Sequence, residues 1–203
     1  MESAETLAPK LPDLISELRS VTRESHSKIE NILKDLTDPS LTRERYAEIL
    51  SGFHTFNSLI EPSLSKFERE LSALGIEISD RKKSGWLHED LALVSVEARS
   101  KSIDISSVKP PNSVPEALGW LYVLEGSTLG GQVIAKNLSA ALGIEADSGA
   151  RYFSAYGSQT GKMWQSFLRS LNRYELEMPK GVSSSICAAA VGAFESLALI
   201  FRR

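Results

Sequence analysis

The sequence is poor in three features that many functional classes require: cysteine, histidine and an excess of basic charge. Its 203 residues include one cysteine, Cys187, which excludes an internal disulfide and any zinc or iron–sulfur site built from several cysteines. Three histidines leave little material for a multi-histidine metal centre. The formal net charge of −3 argues against a general nucleic-acid-binding protein, because neutralising phosphates needs an excess of Lys and Arg.

Long hydrophobic runs are missing as well. The most apolar stretch, residues 188–201, is interrupted by Gly192, Glu195 and Ser196, and it is shorter than the roughly 20 residues that a membrane-spanning helix needs. The start of the chain is acidic and polar, unlike a secretory signal, and we expect residues 1–10 to form a flexible segment before a domain at residues 11–203. These features predict a cytoplasmic protein that binds neither a membrane nor nucleic acid.

What the sequence does contain is a helical pattern of apolar residues. They recur at spacings of three and four, and no stretch alternates convincingly at a spacing of two. The pattern predicts an all-α, single-domain, bundle-like fold of six to seven helices. The expected helices cover residues 12–36, 42 to a break or kink at Pro62, 81–99, 113–142, 158–178 and 183–201, with a linker at 102–112. Ser113, Pro115 and Glu116 predict the start of the fourth helix as a capping box, and Gly143 predicts its end.

His26 lies on the apolar face of the first predicted helix, among charged neighbours. Glu30, four residues later, can accept a hydrogen bond from one ring nitrogen, which leaves the other nitrogen free to bind a metal. Arg19 and Arg23 lie two turns and one turn earlier on the same side, where a ligand with carboxylates can meet both. The alternatives are a core histidine with internal partners and two arginines on a solvated helix edge.

Three glycines, Gly126, Gly130 and Gly131, fall in the middle of the fourth predicted helix, where each costs about 1 kcal/mol relative to alanine. Gly126 and Gly130 are four residues apart, so they remove side chains from one face. That bare face permits close approach of either another helix or a planar ligand lying on the backbone. Ser127 and Thr128 add hydroxyl groups near it.

The last two predicted helices carry a basic row and an aromatic pair. Lys162, Arg169 and Arg173 are spaced so that they line one side of their helix, and Phe194 and Phe201 are aligned likewise. The basic row can receive carboxylates, and the aromatic pair can wall an apolar ligand. A solvated face and plain core packing are the respective alternatives.

Taken together, these segments resemble the heme oxygenase family. The segment TRESHSKIE at residues 22–30 resembles the family's proximal-histidine segment, and LEGSTLGGQ at 124–132 resembles its glycine-rich distal helix. LHEDL at 87–91 resembles an element of the third helix, and Ala193 and Phe194 with Phe201 resemble the final helix. The matches keep the family's order over about residues 11–203. They are most similar to the small bacterial members, including those associated with bacterial phytochromes, which need biliverdin as chromophore.

The resemblance implies a fold in which heme b lies between the proximal first helix and a glycine-kinked distal helix. It implies that His26 binds the heme iron and that Glu30 holds the imidazole ring. It implies that Arg19, Arg23, Lys162 and Arg169 contact the heme propionates. It implies that Phe194 and Phe201 form apolar walls of the heme site. The implied catalytic groups on the oxygen side are Gly126, Ser127, Thr128 and Gly130.

The implied reaction is the cleavage of heme by O2 and electrons to biliverdin, CO and ferrous iron. An external reductase or ferredoxin is the expected electron donor, and a bacterial phytochrome is the expected biliverdin acceptor. One position departs from the mammalian-type members, since Ser127 stands where they carry an aspartate that orders water. The bacterial branch commonly has Gly-Ser here. The alternative function is a heme or bilin carrier of the same fold that has no turnover.

Overall fold

The computed structural model describes residues 13–94, 105–179 and 181–202, and within these ranges the chain is all-α and forms a single domain. This confirms the fold class predicted from the periodicity. The predicted flexible segment at residues 1–10 and the end of the third predicted helix lie outside the described residues. The helices are α1 (Leu14–Ile32), α2 (Arg43–Ser65), α3 (Glu68–Ala73), α4 (Ser84–Val94), α5 (Val114–Leu142), α6 (Arg151–Ser154), α7 (Thr160–Glu177) and α8 (Val182–Phe201).

The predicted ends of α5 are confirmed. The Ser113 hydroxyl accepts the backbone N–H of Glu116, and Gly143 ends the helix in the left-handed conformation with φ 64°. The second half of the predicted capping box differs, because the Glu116 carboxylate accepts the N–H of Asn112 at 2.9 Å and not that of Ser113. Thr42 caps α2 by accepting the N–H of Arg45.

Other boundaries shift. The first helix ends at Ile32, and a 3₁₀ turn, Lys34–Thr37, completes the predicted segment. Pro62 lies inside α2, which continues to Ser65 before α3 begins. The six long segments match the prediction, whereas the short helices α3 and α6 bring the number of α-helices in the described ranges to eight.

The core is centred on α5 and α8, and α1 also packs against α8. The two central helices approach closely because Gly119 has no side chain: a Cβ there would overlap the carbonyl oxygen of Ile186. By length and composition α8, a 20-residue helix, is apolar enough to cross a membrane, and it is longer than the sequence predicted. More than half of its most apolar window is buried within the bundle, as in the core helix of a globular protein.

Candidate functional site

A cavity of about 800 Å³ separates α1 from the middle of α5. Helix α1 and the 3₁₀ turn after it form one wall, and residues 122–134 of α5 form the opposite wall. Apolar and aromatic side chains dominate the lining: Ile29, Leu33, Leu36, Phe53, Val123, Leu129, Val133, Ile134, Phe153, Trp164, Phe194 and Leu197. A cavity of this size and lining suits an organic ligand with a large apolar surface.

His26 lies on the α1 wall of this cavity and is not a core residue. Its side chain is 54% exposed, which excludes the alternative of a buried histidine with internal partners. The ring stands 5.3 Å from that of Phe194, measured between centroids. Its Nε2 atom is 3.7 Å from Oε1 of Glu30, an ion-pair distance that is too long for the predicted hydrogen bond. The second nitrogen, Nδ1, is thereby left for another partner.

Arg19 and Arg23 also line the cavity, from the same helix as His26. The two arginines and His26 therefore share one wall, which favours a ligand that carries carboxylates. The sequence did not single out Lys34, which lines the cavity from the start of the 3₁₀ turn. No group of three or more potential metal-binding side chains occurs in the described part of the chain.

The opposite wall is bare backbone at its glycines. A Cβ on Gly130 would meet nothing within 4 Å, whereas one on Gly126 would be in van der Waals contact with the Trp164 ring of α7, 3.6 Å away. Close helix packing occurs at their neighbour, because a Cβ on Gly131 would lie 2.5 Å from the Phe153 carbonyl oxygen. The absence of side chains at Gly126 and Gly130 therefore enlarges the cavity along α5.

The hydroxyl groups beside these glycines are turned toward the helix. Ser127 donates to the carbonyl of Leu124 at 2.9 Å, and Thr128 donates to the carbonyl of Glu125 at 2.6 Å. Both residues line the cavity. Since each proton is used by the backbone, Ser127 and Thr128 offer acceptor oxygens to the cavity contents.

Beside the glycine wall lies a buried ionic cluster that the sequence did not predict, and one of its members, Lys83, also lines the cavity. The Glu125 carboxylate, fully buried, accepts from Arg81 and, at 2.7 Å, from the Lys83 ammonium. The Tyr156 hydroxyl donates to it at 2.9 Å. Burial, followed by the charge of Glu125, raises the pKa of Tyr156, so this phenol stays protonated. The cluster fixes α5 to the start of α4, and its partners are more than 30 residues apart in the sequence, which leaves no local signal.

Three of the expected site residues do not reach the cavity. Lys162 and Arg169 are exposed on α7 and are absent from its lining, whereas Trp164 of the same helix does line it. The reason is the helical turn of about 100° per residue, which places Lys162 and Arg169 well over 100° away from Trp164. Phe201 packs behind the wall, with its ring 4.9 Å from that of Phe53. Phe194 is the member of the aromatic pair that lines the cavity.

The residues present fit heme, which is flat, largely apolar and acidic at one edge. A lone imidazole faces the cavity from one side, and the absent Cβ atoms of Gly126 and Gly130 leave room for a planar ring on the other side. The two arginines supply charges of the sign that heme carboxylates need. The fit rests on these walls and on the apolar lining between them.

Comparison with known proteins agrees with this fit. The heme oxygenase family model matches residues 12–203. The chain is 29% identical over 177 residues to heme oxygenase PigA of Pseudomonas aeruginosa, which covers 85% of each protein. It is 30% identical over 107 residues to a heme oxygenase of Xanthomonas campestris, over 53% of this chain and 61% of that protein.

Solved structures show the same fold. The heme oxygenase of Neisseria meningitidis, solved with NO and CO bound, matches with a TM-score of 0.77 and 22% identity over 94% of this chain and 90% of that one. Heme oxygenase-1 of the cyanobacterium Synechocystis in complex with heme matches with a TM-score of 0.69 and 19% identity, over 94% and 91% of the chains. The family match covers nearly the whole sequence, and the two relatives matched by sequence are bacterial. The chain therefore belongs to the heme oxygenase family and is a heme oxygenase enzyme of its bacterial type.

Proposed function

We propose that the cavity between α1 and α5 binds heme b with His26 as the iron ligand, and that the enzyme converts it to biliverdin, CO and ferrous iron. One observation carries this proposal: an exposed imidazole on one wall faces bare glycine backbone on the other. When bound, heme supplies the iron at which O2 is activated. The protein contributes binding, orientation and a largely apolar enclosure.

His26 binds the iron through one ring nitrogen while the other stays with Glu30. The carboxylate of Glu30 lies close enough to attract the second N–H, and this contact sets the orientation of the ring. Both side chains are more than half exposed in the cavity wall, so a bound ligand can reach the ring. Because no other histidine lines the cavity among the described residues, one protein ligand leaves the opposite side of the iron for O2.

Arg19 and Arg23 hold the heme propionates. Both guanidinium groups lie on the N-terminal side of His26 on α1, so they fix how heme is turned within its own plane. That rotation decides which meso carbon faces the reactive side of the cavity. The expected contribution of Lys162 and Arg169 is not part of the proposal, since both lie outside the cavity lining.

The α5 wall acts on the oxygen side. With heme bound, the missing side chains of Gly126 and Gly130 would let the α5 backbone approach the oxygen side of the ring and would limit the room there. The Ser127 Oγ and Thr128 Oγ1 atoms accept hydrogen bonds from water there, because their own protons are held by carbonyl groups of the helix. The apolar side chains around them limit the amount of water in the site.

The enzyme takes electrons from an external reductase or ferredoxin and delivers biliverdin to a bacterial phytochrome in the cytoplasm. The support for this part is the similarity of the segments at residues 22–30 and 124–132 to phytochrome-associated members. It is tested by adding a bilin-free phytochrome to the reaction. Assembly of a photoactive phytochrome supports the delivery, and a product isomer that the phytochrome does not accept would overturn it.

The test of the proposed reaction is a titration with hemin followed by reduction in air. We expect saturable binding with one hemin per chain, then loss of the heme absorbance bands and extraction of biliverdin, with CO trapped by added myoglobin. Catalase is included to remove free peroxide, which degrades heme without an enzyme. A hemin complex that persists under O2 and reductant would instead identify a carrier, and absence of hemin binding would overturn the site.

A further inference from the structure

The LHEDL segment has a structural role that its sequence does not reveal. The Asp90 carboxylate is fully buried and accepts the backbone N–H of Arg151 at 2.9 Å and that of Tyr152 at 2.8 Å. These two N–H groups begin helix α6 and have no acceptor within it. The residue at the helix start, Ala150, has no side chain that can cap it. Asp90 thus caps a helix about 60 positions later in the sequence.

Helix α6 depends on such outside contacts. It has four residues, far fewer than an isolated helix needs, and lies between Gly149 and Ala155, which both have positive φ, 121° and 45°. The Tyr46 hydroxyl donates to the Gly149 carbonyl at 2.6 Å, and the Arg151 guanidinium donates to the Ala155 carbonyl at 2.6 Å. Together with Asp90, these contacts determine where α6 lies.

The position of α6 brings Tyr152 into the cavity wall beside the glycine segment. Tyr152 is 7% exposed, and its ring lies 5.1 Å from that of Phe53. Burial raises the pKa of its hydroxyl, and the neighbouring side chains of Asn57 and Ser127 oppose that rise only in part. The phenol therefore stays protonated near neutral pH, next to the serine that stands in the place of an aspartate.

We propose that Tyr152 is a hydrogen-bond donor on the oxygen side of the heme site and that Asp90 is the residue that positions it. Ser127 and Thr128 give their protons to backbone carbonyls and offer the cavity acceptor oxygens, whereas the Tyr152 hydroxyl offers a proton. This inference rests on the proposed function, because the acceptor is a group bound to the heme iron. Asp90 has no contact with the cavity and acts through α6.

The test measures how tightly fluoride, a small anion that accepts hydrogen bonds, binds to the ferric heme complex of the full chain. Tyr152→Phe removes only the hydroxyl and is expected to weaken fluoride binding about fivefold, the effect of losing one hydrogen bond. Asp90→Asn, which removes the charge and one acceptor, is expected to weaken it roughly two- to fivefold. The double variant should bind fluoride no more weakly than Tyr152→Phe, since both changes act on one group.

Thr42→Ala is the matched control, because it removes a helix cap that lies away from the cavity. It should leave the fluoride affinity unchanged. Wild-type affinity in Tyr152→Phe would overturn the donor role, and effects that add in the double variant would overturn the action of Asp90 through Tyr152. If Asp90→Asn does not fold, Asp90→Ser, which keeps one acceptor oxygen, replaces it. A wild-type chain that binds no hemin would instead overturn the proposed function.

Discussion

Glycine has opposite consequences on the two faces of α5. Toward α1, a Cβ on Gly130 would meet nothing within 4 Å, and the missing side chains open a cavity. On the side of α6, a Cβ on Gly131 would lie 2.5 Å from the Phe153 carbonyl oxygen. The first face leaves space for a ligand beside Gly130, and the second lets the backbone of α6 approach. Gly119, about three turns before Gly130 on the same face, serves close packing with α8, because a Cβ there would overlap the Ile186 carbonyl.

Charge follows the same division. The interior side holds the carboxylate of Glu125, fully buried and paired with Arg81 and Lys83. The cavity side has hydroxyl groups next to its glycines, those of Ser127 and Thr128, and Lys83 is the member of the ionic cluster that also lines the cavity. The ionic cluster thus holds α5 in place next to the segment that lines the cavity. Adjacent glycines of one motif thus have different structural roles: Gly130 leaves space in the cavity, whereas Gly131 allows close packing against α6.

The largest expected effect on stability comes from removing the carboxylate at the centre of the buried ionic cluster. Glu125→Ala leaves the Arg81 guanidinium and the Lys83 ammonium buried without their carboxylate, and it should lower the free energy of unfolding by about 3–5 kcal/mol. Urea denaturation followed by circular dichroism measures this change. Gln132→Ala, at an exposed position of the same helix, is the control and should stay within about 0.5 kcal/mol of the wild type. A loss below about 1 kcal/mol for Glu125→Ala would contradict the anchoring role.

Gly131→Ala should have the next largest effect. The added methyl group meets the backbone carbonyl of Phe153, which cannot turn away as a flexible side chain could. We expect a loss of about 1–3 kcal/mol in the same denaturation experiment, typical of overpacking. Unchanged stability would show that α5 and α6 are less tightly packed than the structure indicates.

Gly130→Ala should act in the opposite direction. With no atom within 4 Å of the new methyl group, the free chain should become more stable by about 0.5–1 kcal/mol, because alanine favours the helix. The same methyl group enters the cavity, so hemin affinity in an absorbance titration should fall. A variant that is both less stable and equally good at binding hemin would reverse the assignment of the two faces.

The smallest effects concern basic residues at the site. Arg23→Ala should weaken hemin binding roughly fivefold, as expected for a partly exposed charge pair. Lys162→Ala should leave hemin affinity unchanged, since this exposed lysine lies outside the cavity lining. Competitive transfer of hemin to a second heme-binding protein measures both. Equal losses in the two variants would return Lys162 to the list of propionate partners.

Local sequence signals predicted the parts of the molecule that depend on local structure. The ends of α5 follow from Ser113 and Gly143, and the cavity walls follow from placing His26 on one amphipathic helix and Gly126 on another. Helix α6 escaped prediction because its cap, Asp90, comes from a distant segment.

The ionic cluster and the basic row escaped for related reasons. Glu125 meets partners more than 40 residues away, a pairing that no local pattern encodes. The spacing of Lys162 and Arg169 shows that they share one side of α7, and only the packing of that helix shows that Trp164 faces the cavity. Periodicity thus defines the faces of a helix, while tertiary packing decides which face meets the site.

The central claim, that heme lies in this cavity on His26, is tested most directly by the absorption spectrum of the ferric hemin complex of His26→Ala. The account predicts loss of the wild-type spectrum and its recovery when imidazole is added to fill the space of the missing ring. His54→Ala and His88→Ala, which change the other two histidines, should keep the wild-type spectrum, since neither residue lines the cavity. An unchanged spectrum in His26→Ala, or its loss in either of the other variants, would contradict the account.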